Sequence, residues 1–475
     1  MSLALQRIIH KLSTSMWALF ATLFALAFLL TAFHAFFPVT SAWDEHSHLS
    51  YVQYAFNWKI PREGDPLNTW AMAAFSCHPH EFFGAMTVIP CGEYGLPGDY
   101  PASLNTAAGW PPIYYFLTAI LMRIPLVVIT DPLFAARLTT AFLWSLGVAW
   151  LGIQIFQKTK KLALTVAFAM IAVSISAVIA FASYVSPHAL NPLLVAAGLF
   201  VSDRLVKSLT GDAKPSKHRF VAILGNLWAW SFVAFAIACA LSIPQSMSVV
   251  LIFGLYVIVR LWQLATPAYS VGAKLWFTAQ LGVLAVVPVF AVTYVWQLIQ
   301  RIRTAPELLA GAPDQSNAVE SAALTFHDIY GTFLARFWEF WPLSLRVEQP
   351  SGEFTIFIES FWLNLLLALS LGAVLFWKSR NWLSALMLAL FVVAPVMSTV
   401  FDFIFPFIVP KRYSLGIVII GLIALGAARV PGRVAKVLFG LAAVTYVLSY
   451  FLDPLKVDIT QCAGSGSQIL CRLFG

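Results

Sequence analysis

The sequence predicts an all-α polytopic membrane protein: one transmembrane domain over residues 1–475, with about eleven transmembrane helices and interfacial helices in its outer loops. Three observations lead there. The chain is 60% hydrophobic and only 11% charged, outside the range of soluble domains. Several windows run past about 18 apolar residues, enough to span a bilayer. The basic residues fall in short segments between those windows. Despite a net charge of +8, they therefore read as orientation signals rather than as a nucleic-acid footprint. No Arg-rich arm, RNA-binding motif or P-loop points to nucleic acid or nucleotide.

The first apolar run, 16–37, follows Arg7 and Lys11. As a signal peptide it would have only Thr40-Ser41-Ala42 as a cleavage site, and its apolar core is too long. With more spans following, it reads as an uncleaved first span. Basic segments recur at 158–161, 204–219, 260–274, 378–380 and 429–436. Placing all of them in the cytoplasm yields spans near 16–37, 133–156, 161–185, 189–206, 220–242, 246–264, 274–298, 359–378, 382–404, 412–429 and 434–451. The segment 112–130 is apolar enough to span, but as a span it would invert every basic loop after it. It contains Arg123 and Pro125 and is amphipathic in its first half, so it reads as a helix at the outer interface.

Two large outer loops result, 38–132 and 300–360. The first is acidic before its apolar helix. The second, with "FHDIYGTFLARFWEFWPLSL", resembles an aromatic-rich interfacial helix. The stretch 210–217 is the most linker-like, and no internal repeat is evident. Cys77 and Cys91 share the first outer loop, Cys462 and Cys471 share the C-terminal tail on the same side, and Cys239 is alone inside a span. That distribution matches an oxidising outer compartment with Cys77–Cys91 and Cys462–Cys471 bridges. The alternative is four free thiols.

The chemistry concentrates in "WDEHSH", directly after the first span. If 43–56 is helical, Asp44, His48 and Tyr51 share one face, with Glu45, Leu49 and Val52 beside them. A carboxylate at membrane depth is costly unless it is paired or used. The bland alternative for Asp44 is N-capping. His46, His48, His78 and His80 invite a zinc site, but "HPH" chelates poorly and "DEHSH" is not H-E-x-x-H. His48 reads better as the residue that orients Asp44. Trp58, Trp70, Trp110, Tyr114, Tyr115, Trp338 and Trp341 read by default as interfacial anchors, and some as sugar-stacking faces.

"WDEHSHLSYVQYAFNWKIP", then "GWPPIYYFLTAI", then "AARLTTAFLWSLG", with a late "KRY", resembles in order the GT-C superfamily of membrane glycosyltransferases. That group includes protein O-mannosyltransferases and lipid A aminoarabinose transferases. The resemblance covers the first 200 residues well and the remainder loosely. It implies a GT-C-like helical bundle in a bacterial plasma (inner) membrane, with its active site facing the periplasm or exterior. The implied donor is a polyprenyl-phosphate sugar, and the acceptor a cell-envelope glycan or lipid. Asp44 is then the general base, with Glu45 as its runner-up or an acceptor-binding partner.

The leaving phosphate needs a cation. Outer-face candidates are Arg412, Lys411, Arg301, Arg303 and Arg137. Anchoring by snorkelling is the alternative for Arg412. For Arg137 it is a buried partnership with a first-loop carboxylate. Metal-binding members often have an acid where this chain has His188. That departure argues against a divalent metal, and no cofactor is otherwise called for. His188 serves an acceptor or phosphate hydrogen bond, or is simply a satisfied histidine at a helix start. Rival functions are a transporter or flippase, which should show repeats and broken midplane helices, and a non-catalytic envelope-assembly component.

Overall fold

The computed structural model describes residues 15–36, 45–78, 105–174, 182–210, 225–243, 247–264 and 270–304. They are helical, with no β-strand among them. The expected spans at 359–378, 382–404, 412–429 and 434–451 lie outside these residues, as does almost all of the 300–360 loop.

Helix α1, Met16–Ala35, is apolar all round and starts at Ser15, whose hydroxyl accepts from Ala18 N at 3.3 Å. Leu19, Leu23, Ala27 and Thr31 recur every fourth residue and are buried, while Trp17 and Leu29 are exposed. The first long loop supplies three short helices: α2, Glu45–Phe56; α3, Thr69–Cys77; and α4, Ile113–Leu121. Helix α5, Pro132–Thr159, begins with Asp131 accepting from Leu133 N at 2.8 Å and with proline at its first position. It ends at Lys160 in the left-handed region, with φ 56°. Then follow α6, Leu162–Ser174; α7, Asn191–Thr210, entered through a 3-10 turn at Pro187–Leu190; α8, Leu227–Ser242; α9, Met247–Leu264; and α10, Val271–Arg303.

Helix α5 is the hub, packing on α1 on one side and α7 on the other. Helices α8 and α9 pack on α7, and α10 closes against α8 and α9. The α5–α7 crossing is close because Gly147 lies against the backbone of Pro192 and Leu193. Four helices among the described residues are long and apolar enough to cross a membrane: Met16–Ala35, Pro132–Thr159, Pro187–Thr210 and Lys274–Arg303. Shorter apolar helices occupy Leu227–Ser242 and Val249–Trp262. The class is therefore that of a helical membrane protein.

The segment 112–130 is not one continuous helix. Helix α4 has nine residues, about 14 Å of rise against a hydrocarbon core of about 30 Å. A 3-10 turn at Pro125–Val127 follows, because proline cannot extend the ladder. Arg123 folds back onto the end of α2, donating to Phe56 O at 3.2 Å with its guanidinium 4.7 Å from the Phe56 ring. Ile124, Val127 and Val128 are left exposed. Tyr114 and Tyr115 depart from the expected role of interfacial anchors: both are fully buried, because α4 packs on α2 and α5.

Candidate functional site

Helix α2 carries a glutamate, two histidines and two serines, yet every residue from Glu45 to Val52 is buried. Each such polar group left unpaired would cost about 1–3 kcal/mol. The surrounding elements supply partners. Thr106 Oγ1 and Ser47 Oγ are 3.0 Å apart. Ser50 Oγ accepts from Asn68 N and from Asn105 Nδ2, both at 3.3 Å, while Ser50 O accepts from Asn68 Nδ2 at 2.6 Å. One turn on, Gln53 Oε1 accepts from Trp70 N at 2.9 Å, docking α3.

Glu45 carries the charge in this buried set. Its Oε1 accepts from Arg137 Nε at 2.8 Å and from Val185 N at 2.9 Å, and its Oε2 accepts from Arg137 Nη2 at 2.6 Å. The two side chains are 1% and 0% exposed. The Arg137 guanidinium also lies 4.8 Å from the Tyr184 ring. Of the two readings of Arg137, the buried partnership with a first-loop carboxylate is the arrangement present. The pair ties α2, α5 and the segment before the 3-10 turn into one unit.

His48 sits one turn further along α2. Its Nδ1 hydrogen-bonds the Tyr115 hydroxyl at 2.8 Å. Tyr115 in turn stacks on Tyr51 with centroids 3.7 Å apart. Trp110 makes T-shaped ring contacts with both His48, at 5.5 Å, and His188, at 6.0 Å. The two long-range segments carrying the predicted histidines thus meet across one indole. His188 is buried in the 3-10 turn, whose Ser186 hydroxyl accepts from its backbone N–H. Burial raises the pKa of the Tyr51 phenol, against the charge of Arg303, and burial also raises that of Tyr114 despite its hydrogen bond to Thr140.

His78 leads elsewhere. Its Nε2 lies 3.0 Å from Asp131 Oδ2 at the start of α5. Burial pushes the Asp131 carboxyl upward, but the His78 bond and charge and the N–H groups of Leu133 and Phe134 outweigh it, leaving the pKa below the ordinary value. Cys77, next to His78, is disulfide-bonded, and Cys239 is free and buried. No three His, Cys, Asp or Glu side chains among the described residues form a group able to hold a metal ion.

The C-terminal end of α10 closes the site. Trp296 Nε1 donates to Gly109 O at 2.8 Å, and Arg303 Nη2 donates to Ile60 O. Arg301 is exposed. Arg303, rather than Arg301, is the α10 cation turned toward the first loop. The spacing of Trp296, Gln300 and Arg303 at i, i+4 and i+7 was the legible signal for that polar face. Nothing in the sequence marked Tyr115 as the partner of His48. Asp44, Lys411, Arg412, Cys91, Cys462, Cys471, His80, Trp338 and Trp341 lie outside the described residues.

Compared with models of known protein families, the chain matches none, and no curated protein is significantly similar to it.

Proposed function

We propose that the chain is an inverting glycosyltransferase of GT-C type at the outer face of the membrane. It transfers a sugar from a polyprenyl-phosphate donor to a cell-envelope glycan or lipid acceptor. Asp44 takes the proton of the acceptor hydroxyl as that oxygen attacks the anomeric carbon. The bond to the lipid phosphate breaks with its electron pair, and the configuration at that carbon inverts.

One observation supports this reading most. Helix α2, which directly follows Asp44 in the sequence, has Glu45 through Val52 buried, and the Glu45–Arg137 pair holds it against α5. Burying so many polar groups is costly unless they are paired, and here Glu45, Ser47, His48 and Ser50 all are, which fixes the position of the helix. Asp44 is covalently next to Glu45, so the three hydrogen bonds on Glu45 restrict where its neighbour goes. In this reading Glu45 and Arg137 are positioning residues. His48, linked to Tyr115, follows the proposed base by four residues in the sequence. The phosphate is held by Arg412 and Lys411 with Arg303, and Arg137 is withdrawn from that role by its commitment to Glu45.

The test is Asp44→Asn in purified protein, assayed for sugar transfer from a radiolabelled pool of polyprenyl-phosphate sugars. Activity should fall at least a hundredfold, the usual contribution of a general base. Wild-type rates in the variant would remove Asp44 from the mechanism. Transfer from a nucleotide sugar but not a lipid-linked one would remove the donor assignment.

A further inference from the structure

The end of the bundle away from the first loop is strongly basic. Helix α5 carries Arg137 near its start and Lys158 near its end, and the stretch between them rises about 32 Å, close to the thickness of a hydrocarbon core. Lys158, Lys160 and Lys161 therefore stand a membrane's width from the Glu45–Arg137 pair.

Contacts join three helices at this end. Lys158 Nζ lies 2.6 Å from Asp203 Oδ2 on α7, and Asp203 Oδ1 accepts from the Tyr256 hydroxyl on α9. Beyond Asp131, Asp203 is the only carboxylate among the described residues. Both of its oxygens are engaged, so it does not neutralise Arg204, next to it, or Lys207, one turn on.

Arg204 is exposed, and its guanidinium lies 5.3 Å from the Phe200 ring and 5.8 Å from the Trp228 ring on α8. Ring faces hold a guanidinium in place while leaving its N–H donors open. Among the described residues the Arg204 side chain has no hydrogen bond or ion pair, and neither has that of the exposed Lys207. Asn226, at the start of α8, donates to Ser208 Oγ at 2.9 Å and fixes α8 beside this part of α7.

Apolar surface adjoins these cations. On α8, Leu227 is 74% exposed and Trp230 52%, on either side of Trp228, and the exposed Ala234 continues the stripe one turn further. A guanidinium with open donors suits a bidentate oxyanion such as a phosphate. The stripe suits hydrocarbon. A phospholipid of net negative charge offers both in one molecule, whereas a zwitterionic one brings a further cation to a place already basic.

We propose that Arg204 and Lys207, with the α8 stripe beside them, form a binding site for an acidic phospholipid in the leaflet opposite the first loop. The site stands independently of the proposed reaction, and its lipid is distinct from the sugar donor, which that reaction engages at the first-loop end.

The test uses the full chain in an uncharged detergent. It is titrated with dioctanoyl phosphatidylglycerol, dioctanoyl phosphatidylcholine and glycerol 3-phosphate, and apparent affinity is read from the rise in Tm. Phosphatidylglycerol should raise the Tm saturably, and the other two should not at the same concentrations. Arg204→Gln and Lys207→Gln should each weaken it about fivefold, the contribution of one basic residue at an anionic surface. Lys59→Gln, which removes an exposed cation near the first loop, should leave it unchanged. Arg204→Gln also gives up two ring contacts, so Lys207→Gln carries the test if that variant fails to fold.

Three results would each overturn the site. Equal stabilisation by phosphatidylcholine would leave only a hydrocarbon surface. An equal response to glycerol 3-phosphate would make it a site for soluble phosphate. Unchanged phosphatidylglycerol affinity in the folded variants at Arg204 or Lys207, or the same loss in Lys59→Gln, would show diffuse attraction to net charge instead of a site.

Discussion

Arg137 grips Glu45 with two of its nitrogens, at 2.8 and 2.6 Å, in a site closed to solvent. Removing one partner strands the other charge in the core. Glu45→Gln and Arg137→Met should each cost about 3–5 kcal/mol of stability. The double variant Glu45→Gln/Arg137→Met should recover part of that loss, because no unpaired charge remains. Thermal unfolding of all four proteins completes the cycle. Equal, additive losses would show that the pair does not act as a unit.

The His78–Asp131 contact makes stability depend on acid pH. The pKa of Asp131 is lowered by folding, so the native state binds this proton more weakly than the unfolded chain does. Its contribution is complete above the ordinary carboxylate value of about 3.9 and fades as pH falls through the lower, folded value. Asp131→Asn should flatten this part of the Tm–pH curve while keeping the cap on Leu133 N. Asp131→Ala should also lose the cap, at about 1 kcal/mol.

Tyr115 joins His48 and Tyr51 through different parts of its side chain. Tyr115→Phe removes only the hydroxyl and should cost about 1–2 kcal/mol. Tyr115→Ala removes the stack as well and should cost at least 3 kcal/mol. If the two variants melt alike, the ring stack contributes nothing beyond the hydrogen bond.

The helix crossings differ in tolerance. A Cβ on Gly147 would come within 2.4 Å of Leu193 N and 2.6 Å of the Pro192 backbone, and backbone cannot step aside. A Cβ on Gly152 would meet the Leu23 methyl at 2.6 Å, and a leucine can change rotamer. Gly147→Ala should therefore lose about 2–3 kcal/mol and Gly152→Ala distinctly less, read from the two melting curves.

Much of this fold is written in local pattern. Apolar length marked α1, α5 and the span ending at Thr210, and all are present. The register of α2 followed from "DEHSHLSYVQYAF", because i and i+4 neighbours depend only on helical geometry. Residues 112–130 read as one interfacial helix, whereas the helix stops at Leu121 and a 3-10 turn follows at Pro125–Val127. Tyr114 and Tyr115 misled, since an aromatic pair near a span end looks the same whether it faces headgroups or a neighbouring helix. Only the docking of α4 on α2 decides between them.

By itself the sequence determined a helical membrane protein with an acidic, histidine-bearing helix just after its first span. These are properties of composition and short-range period, which each segment carries alone. The tertiary structure decided which carboxylate was spoken for, joining Glu45 to Arg137 across 92 positions of chain. It likewise turned Arg303 rather than Arg301 onto the first loop, 243 positions from Ile60. Such pairings depend on how helices of similar apolar pattern pack together, and no local period records that.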